Sequence, residues 1–134
     1  MIWTMHWIQI RLYTLCEALP SVRENREKAQ MSGARFIISS FVDYEIQRGL
    51  LIKPVLSHEK AYAIICDNCS CENMTIAVWK QAAKIYATLY AKHFTVSDAD
   101  IIIAAFCIVN SYTLVTCNTK DFEKIDELQF VNWL

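Results

Sequence analysis

An apolar run in the second half of the chain, Ile101–Val109, sets the strongest constraint on the fold. Ser97 and Asp98 precede it as helix-start signals, and Asn110–Ser111 follows it as a stop. A helix formed by this run is apolar on nearly all of its faces, so other elements have to cover it on every side. We therefore predict a central helix with the rest of the chain packed around it.

Short β-favouring runs alternate with helical patterns along the chain. Alternation of this kind implies a parallel sheet with helices on both faces. A chain of 134 residues has room for one compact core, so we predict an α/β fold in a single domain, residues 1–134. Strands are predicted at 35–39, 74–77, 112–116 and 128–133, and helices at 20–31, 41–49 with Ser40 as its cap, 56–65, 78–92, 97–109 and 120–125.

Composition excludes several classes of protein. Apolar residues make up 54% of the chain, with two Gly and two Pro, which argues against disorder. Charges interrupt every apolar stretch before it reaches membrane-spanning length, and the first nineteen residues lack the basic region and cleavage site of a secretory signal. A net charge of −1 creates no general electrostatic attraction for nucleic acid. Any contact with RNA would therefore be made by individual basic residues, and the candidates are Arg48, Lys53, Lys92 and Lys120. We expect a soluble, cytoplasmic protein.

Three of the six cysteines lie close together as Cys66, Cys69 and Cys71, which raises the alternative of a zinc or redox module. A closed zinc site needs four soft ligands, and no second Cys or His pair follows at ligand spacing. We therefore favour reduced cysteines at a helix end and a turn, in a compartment that keeps thiols reduced.

Three acidic residues are predicted to lie where helices begin at one edge of the sheet. Glu45 lies one turn into the helix after strand 35–39, Asp100 lies in the first turn of the central helix, and Asp121 follows strand 112–116. In such sheets ligands bind beyond the carboxyl ends of the strands. An acid in the first turn of a helix also has a plain electrostatic reason to be there, which is the interpretation we favour for Asp98 as a cap.

Ionised carboxylates gathered at one edge repel one another unless a cation compensates their charge. Hard oxygen ligands with few histidines favour Mg²⁺ or Mn²⁺, and such ions activate water for attack on a phosphodiester. This chemistry is typical of nucleases. The remaining acids of these segments, Asp43, Asp126 and Glu127, are predicted to be solvated.

Three segments resemble motifs of the VapC-type PIN-domain toxins. Residues 39–49 (SSFVDYEIQRG) are similar to the family's Ser…Glu…Gly helix, and residues 100–105 (DIIIAA) are similar to its D-x-x-I-A-A helix. Residues 114–122 (LVTCNTKDF) resemble its L-V-T-x-N-x-x-(D/E)-F loop, and residues 130–133 resemble its usual end. The resemblance covers residues 20–134 in the family's order.

This resemblance implies a PIN-like three-layer fold with a short parallel sheet between helices. It implies that Glu45, Asp100 and Asp121 are catalytic metal ligands for Mg²⁺ or Mn²⁺, and that Thr116 and Asn118 line the site. The implied substrate is RNA, with tRNA among the family's targets. The implied protein partners are a VapB-like antitoxin and a second copy of the chain.

The amino-terminal segment departs from the family pattern. The family begins with a strand ending in L-D-T-N, whose Asp is the first metal ligand. Here Met5–Tyr13 reads MHWIQIRLY, and no acid occurs before Glu17. The apolar residues at 7, 8, 10 and 12 still favour a strand, so residues 1–12 are predicted as an atypical first strand. His6 and Gln9 are the available substitute ligands, although an ordinary strand role fits them better.

The genetic code offers an explanation for this departure. When the last base of each codon is joined to the first two bases of the next, the codons for Met5–Ile10 must read Ala-Leu-Asp, then Thr, Ser or Pro, then Asn or Asp. This is the missing motif at the expected place. We infer that the reading frame is displaced until about Leu12 or Tyr13, through a mutation or a sequencing error.

Two functions from different classes follow. The first is a metal-dependent endoribonuclease toxin, impaired by the loss of its first Asp. The second is a non-catalytic remnant that dimerises and binds antitoxin.

Sequencing the gene across the codons of residues 1–13 tests the frame hypothesis. We expect a base inserted or deleted upstream of codon 5 and a compensating change near codon 12. An intact frame with no compensating change nearby would count against it.

Overall fold

Five parallel strands and five α-helices form the part of the chain that the computed structural model describes, namely the backbone of residues 2–5 together with residues 19–133. In chain order the elements are β1 (Ile2–Met5), α1 (Pro20–Met31), β2 (Arg35–Ser39), α2 (Ser40–Ile52), α3 (Leu56–Asn68), β3 (Ser70–Glu72), α4 (Ile76–Ala91), α5 (Asp98–Asn110), β4 (Thr113–Thr116), a 3₁₀ helix (Phe122–Lys124) and β5 (Phe130–Asn132). None of the helices described here combines the length and the hydropathy that a membrane span requires.

The sheet has the strand order β3-β2-β1-β4-β5, and every pairing is parallel. Strand β1 is central: Thr4 is in register with Ile37 on one side and with Leu114 on the other. Because parallel strands share one direction, their carboxyl ends lie at the same edge of the sheet. The predicted α/β fold with a parallel sheet is confirmed.

Helix α5 lies in the core, as its apolar sequence predicted. Ile101, Ile103 and Phe106 are each 3% exposed or less. The helix begins after Ser97, and it ends at Ser111, which adopts the left-handed conformation with φ 56°. That conformation satisfies the last carbonyls and turns the chain into β4. The Ser111 turn thus places the end of α5 beside the start of β4.

Two predictions about local structure were wrong. Residues 74–77 do not form a strand; Thr75 instead caps α4, its hydroxyl accepting a hydrogen bond from the Val78 amide at 3.4 Å. The strand of this region is β3, whose polar, largely exposed residues carry no alternating apolar pattern. The cap of α2 is Ser39 rather than Ser40, because the Ser39 hydroxyl accepts from the Val42 amide at 3.2 Å.

The first strand lies within the predicted residues 1–12, but ahead of the apolar residues on which that prediction rested. Strand β1 spans Ile2–Met5, whereas the apolar residues on which the strand prediction rested lie at 7–12. Those residues, with His6 and Gln9, lie outside the described part of the chain. Strand β1 ends at Met5, which is the residue where the reread motif begins.

Shortening a buried side chain of the central helix, α5, should test the role of this helix in the core. Phe106→Ala removes a ring that is 1% exposed, so we expect the free energy of unfolding to fall by about 3–5 kcal/mol in chemical denaturation. Val109→Ala in the same helix, at a position 38% exposed, is the matched control and should cost less than about 1 kcal/mol. Equal losses for the two variants would contradict the assignment of α5 as the core helix.

Candidate active site

The candidate site lies at the edge of the sheet where β1, β2 and β4 end, and we call this edge the carboxyl rim. Helix α2 begins at the rim directly after β2. Helix α5 runs away from the rim, because its end connects through Ser111 and Tyr112 to the start of β4 at the opposite edge of the sheet, and its first turn therefore lies toward the rim. The loop that follows Thr116 also leaves from the rim. These elements carry the three acids that the sequence predicted as ligands.

Asp100 is the most buried acid of the rim, at 4% exposure. The Ser97 hydroxyl binds it twice, accepting from the Asp100 amide at 3.2 Å and donating to Asp100 Oδ2 at 2.9 Å. The positive end of the helix dipole adds a further stabilising field for a carboxylate in this turn. Ser97 is therefore the cap of α5, and the predicted cap, Asp98, is its exposed first residue.

Glu45 lies in the second turn of α2 with 14% of its side chain exposed. Arg48, one turn further along, approaches it with Nη2 3.4 Å from Glu45 Oε1. The Arg48 guanidinium also lies over the Tyr44 ring, 5.2 Å from its centroid. The glutamate thus has a cation of its own helix as a neighbour, and that cation has an aromatic ring beneath it.

Asp121 follows β4 and directly precedes the 3₁₀ helix. Lys124 Nζ lies 3.0 Å from Asp121 Oδ1, with side-chain exposures of 26% for the lysine and 29% for the aspartate. The same ammonium lies 5.9 Å from the centroid of the Phe94 ring. Asp121 and Glu45 are therefore held alike, each by a cation three residues later that also faces an aromatic ring.

Thr116 and Asn118 shape the loop that carries Asp121. Thr116 is buried at the end of β4, and its hydroxyl accepts from the Asn118 amide at 3.1 Å and donates to the Asn118 carbonyl at 3.3 Å. These bonds turn the chain sharply as it leaves the sheet. The Asn118 side chain is exposed, so the prediction that both residues line the site stays a prediction.

The donor atoms of the rim match a hard cation in kind, since all three are carboxylates. Within residues 2–5 and 19–133, however, no three His, Cys, Asp or Glu side chains lie close enough together to hold a metal ion. The described residues therefore do not form a complete metal site, and we derive no catalytic step through a metal. The predicted ligand roles of Glu45, Asp100 and Asp121 stay predictions.

The cysteines of the alternative metal module are free thiols at the end of α3 and on β3. Burial raises the pKa of the Cys69 thiol to about 12, so it stays protonated at neutral pH. Burial likewise raises the pKa of Cys71. Because a cysteine binds metal as the thiolate, these shifts disfavour the metal role.

One polar contact, between Tyr62 of α3 and Asp43 of α2, was not predicted from the sequence. The Tyr62 hydroxyl donates to Asp43 Oδ1, so the predicted solvation of Asp43 was wrong, and this acid is half-buried between two helices. Burial, together with this bond, raises the pKa of Tyr62 well above its usual range.

Lys92 is one of the cations that the sequence analysis named for RNA contact. Its ammonium lies 2.8 Å from an Asp126 carboxylate oxygen on the surface.

A parallel sheet flanked by helices, with acids at its carboxyl rim, defines the class of fold, and comparison with known proteins defines the family. A model of the PIN domain matches residues 14–128. The chain therefore belongs to the PIN domain family, which confirms the resemblance to VapC-type proteins that its motifs indicated.

Curated relatives match over a shorter stretch. Ribonuclease VapC of Rickettsia bellii is 45% identical over 47 residues, which is 35% of this chain and 35% of the relative. Ribonuclease VapC1 of Rickettsia felis is 40% identical over 47 residues, again 35% of each protein. The match thus spans about a third of the length of these relatives.

Solved structures match the whole fold. A chain in the structure of VapBC2 from Rickettsia felis, bound to a DNA fragment from its promoter, has a TM-score of 0.87 and 24% identity, with both chains covered completely. A chain in the DNA-bound VapBC structure from Salmonella typhimurium has a TM-score of 0.80 and 21% identity at the same coverage. At these identities the likeness shows a shared fold.

Removing the cap of α5 should test how Asp100 is held. Ser97→Ala deletes both hydrogen bonds to Asp100, so we expect the free energy of unfolding to fall by about 1–2 kcal/mol in thermal or urea unfolding. Thr75→Ala, at the cap of α4, removes a single longer bond and serves as the control with a smaller loss. A Ser97 variant as stable as the parent would contradict the assigned cap.

Proposed function

We propose that this chain is an endoribonuclease toxin of a VapBC-like toxin–antitoxin pair, dependent on Mg²⁺ or Mn²⁺ and impaired by the loss of its first aspartate. The observation that carries the proposal is the placement of Glu45, Asp100 and Asp121 on the elements that border one rim of a PIN fold. The ribonuclease names of the curated relatives support the same activity. The proposed substrate is RNA, with tRNA as one candidate class, and the proposed compartment is the cytoplasm.

The chemistry of the rim supports a hydrolase more than a thiol or histidine enzyme. A hard divalent cation held by carboxylates lowers the pKa of a bound water and neutralises charge that develops on a phosphodiester. In this chain Ser97 holds Asp100, and the Thr116 turn directs the loop of Asp121. These two residues fix where two of the proposed ligands lie.

A second candidate is the remnant that binds partners without cleaving RNA. It is favoured by a specific observation, namely that the described residues do not assemble a complete metal site. Its protein partners would be a VapB-like antitoxin and a second copy of the chain.

Exposed apolar side chains support the proposal that the chain binds protein partners, under either of the two candidate functions. At the corner between α2 and α3, Leu51, Ile52 and Leu56 are 80%, 82% and 65% exposed. Tyr44 and Trp79 line an open cavity of about 570 Å³ between α2 and α4. Apolar patches of this kind mark protein-binding surfaces.

An RNA-cleavage assay on three proteins separates the two candidates. The proteins are the chain as encoded, a frame-repaired form that reads Ala-Leu-Asp-Thr-Asn from codon 5, and the repaired form with that Asp replaced by Asn. In Mg²⁺ or Mn²⁺ we expect cleavage by the repaired form to exceed that of the encoded chain by a factor on the order of 100 or more, because a principal carboxylate is restored.

The Asp-to-Asn form of the repaired protein is the matched control and should fall back to the encoded level. Weak cleavage by the encoded chain that disappears in Asp100→Asn would favour the impaired enzyme, and none at all would favour the remnant. No cleavage by the repaired form, if it is folded by circular dichroism, would refute the nuclease proposal.

A further inference from the structure

We infer that Tyr86 and Tyr90 of α4 form a base-stacking site for single-stranded RNA, and that Lys80 of the same helix contacts a phosphate of the bound strand. We call the two tyrosines the tyrosine pair. The inference rests on the proposed function for the kind of molecule bound, and it adds a surface outside the rim that holds the substrate. It concerns RNA binding alone and involves no metal ion.

The tyrosine pair presents two aromatic rings to solvent. Tyr86 is 54% exposed and Tyr90 is 72% exposed, and their ring centroids lie 6.3 Å apart with an angle of 21° between the ring planes. The two residues are four positions apart, so both rings project from the same side of the helix. Exposed aromatic rings are the surfaces on which unpaired bases stack. The core face of α4 is formed by other residues, namely Val78, Ala82, Ile85 and Leu89.

Positive charge lies beside the tyrosine pair. Helix α4 contains two lysines, Lys80 and Lys84, and no acidic residue. At 3.6 residues per turn, the exposed Ala83 and Ala87 lie between the tyrosines and these lysines, so no bulky side chain of the helix separates the rings from the ammonium groups. Lys84 also lines a cavity with the acidic residues 126–127, which makes Lys80 the clearer phosphate ligand.

Helix α4 borders the two helices that carry Glu45 and Asp100. Near its start, Trp79 lines a cavity together with Tyr44, the residue before Glu45. Its end leads through residues 92–97 into α5, whose first turn holds Asp100, and α4 packs along α5. A strand of RNA held on α4 therefore lies beside the helices of two rim acids.

Charge and side-chain type favour RNA over a protein as the occupant. The exposed face offers aromatic rings and lysines without an acid, which complements bases and a phosphate backbone. The exposed corner between α2 and α3, which we propose for protein partners, is aliphatic and lies on other helices. A net charge of −1 gives the chain no general attraction for RNA, so binding depends on a local stacking site.

RNA binding in EDTA tests the inference, because chelation of divalent ions allows binding to be measured without cleavage. The probe is a short fluorescein-labelled single-stranded RNA of mixed sequence, and its fluorescence anisotropy at low salt gives the dissociation constant. We expect Tyr86→Ala and Tyr90→Ala each to weaken binding about fivefold or more, since each variant loses one stacked base. Tyr90→Phe should bind as the parent does, because the ring remains.

Ile76→Ala is the matched control. Ile76 is 74% exposed on the same helix, about as exposed as Tyr90, and it has no ring, so its truncation should leave RNA binding unchanged. Circular dichroism confirms that each variant is folded.

Two further measurements separate stacking from charge. Duplex RNA of the same sequence should bind about tenfold more weakly than the single strand, because its bases are already stacked on one another. Lys80→Met should reduce the steepness of log affinity against log salt by about 0.7, which is the contribution of one phosphate contact with a single strand.

Three outcomes would overturn the inference. They are no measurable RNA binding by the encoded chain, binding that neither tyrosine variant weakens, and an equal loss in Ile76→Ala, which would indicate an apolar docking face for a protein. RNA cleavage by the frame-repaired protein is measured separately. Cleavage without binding through the tyrosine pair would sink the stacking site and leave the proposed function standing, whereas binding through the pair without cleavage would do the reverse.

Discussion

Negative charge gathered at one edge of a parallel sheet is the constraint on which the rest of this structure depends. Parallel pairing brings the ends of β1, β2 and β4 to one edge, and the helices and the loop that carry Glu45, Asp100 and Asp121 border that edge. Water cannot compensate a buried charge such as that of Asp100, so protein groups have to do so. The cap at Ser97 and the cations at Arg48 and Lys124 all meet that need.

Much of the fold could be predicted because its strongest elements have strong patterns. The bounds of α1 and β2 agree with the predicted ones, and the apolar run of α5 fixed the centre of the core. Strand β3 could not be predicted, because a short edge strand needs no alternating apolar residues when its pairing is supplied by β2. The sequence analysis predicted Ser40 as the cap of α2 instead of Ser39, because the two serines are adjacent and chemically alike.

The positions of the three acids on their elements were predictable, and the residues that pair with them were not. Glu45, Asp100 and Asp121 follow from element order and motif resemblance. Arg48 and Lys124 follow three residues after two of these acids, but a charge pair at that spacing is common on any helix surface and carries no functional signal. The contact between Asp43 and Tyr62 joins residues 19 positions apart, so it depends on how α2 packs on α3.

Under the proposed function, the amino-terminal segment decides whether the rim is a complete metal site, and diffraction from crystals soaked in Mn²⁺ tests this most directly. The account predicts an anomalous-difference peak bounded by Glu45, Asp100 and Asp121 in the frame-repaired protein, and a weak or absent peak in the chain as encoded. A strong peak at the rim of the encoded chain, or a peak in the repaired protein away from these acids, would contradict it.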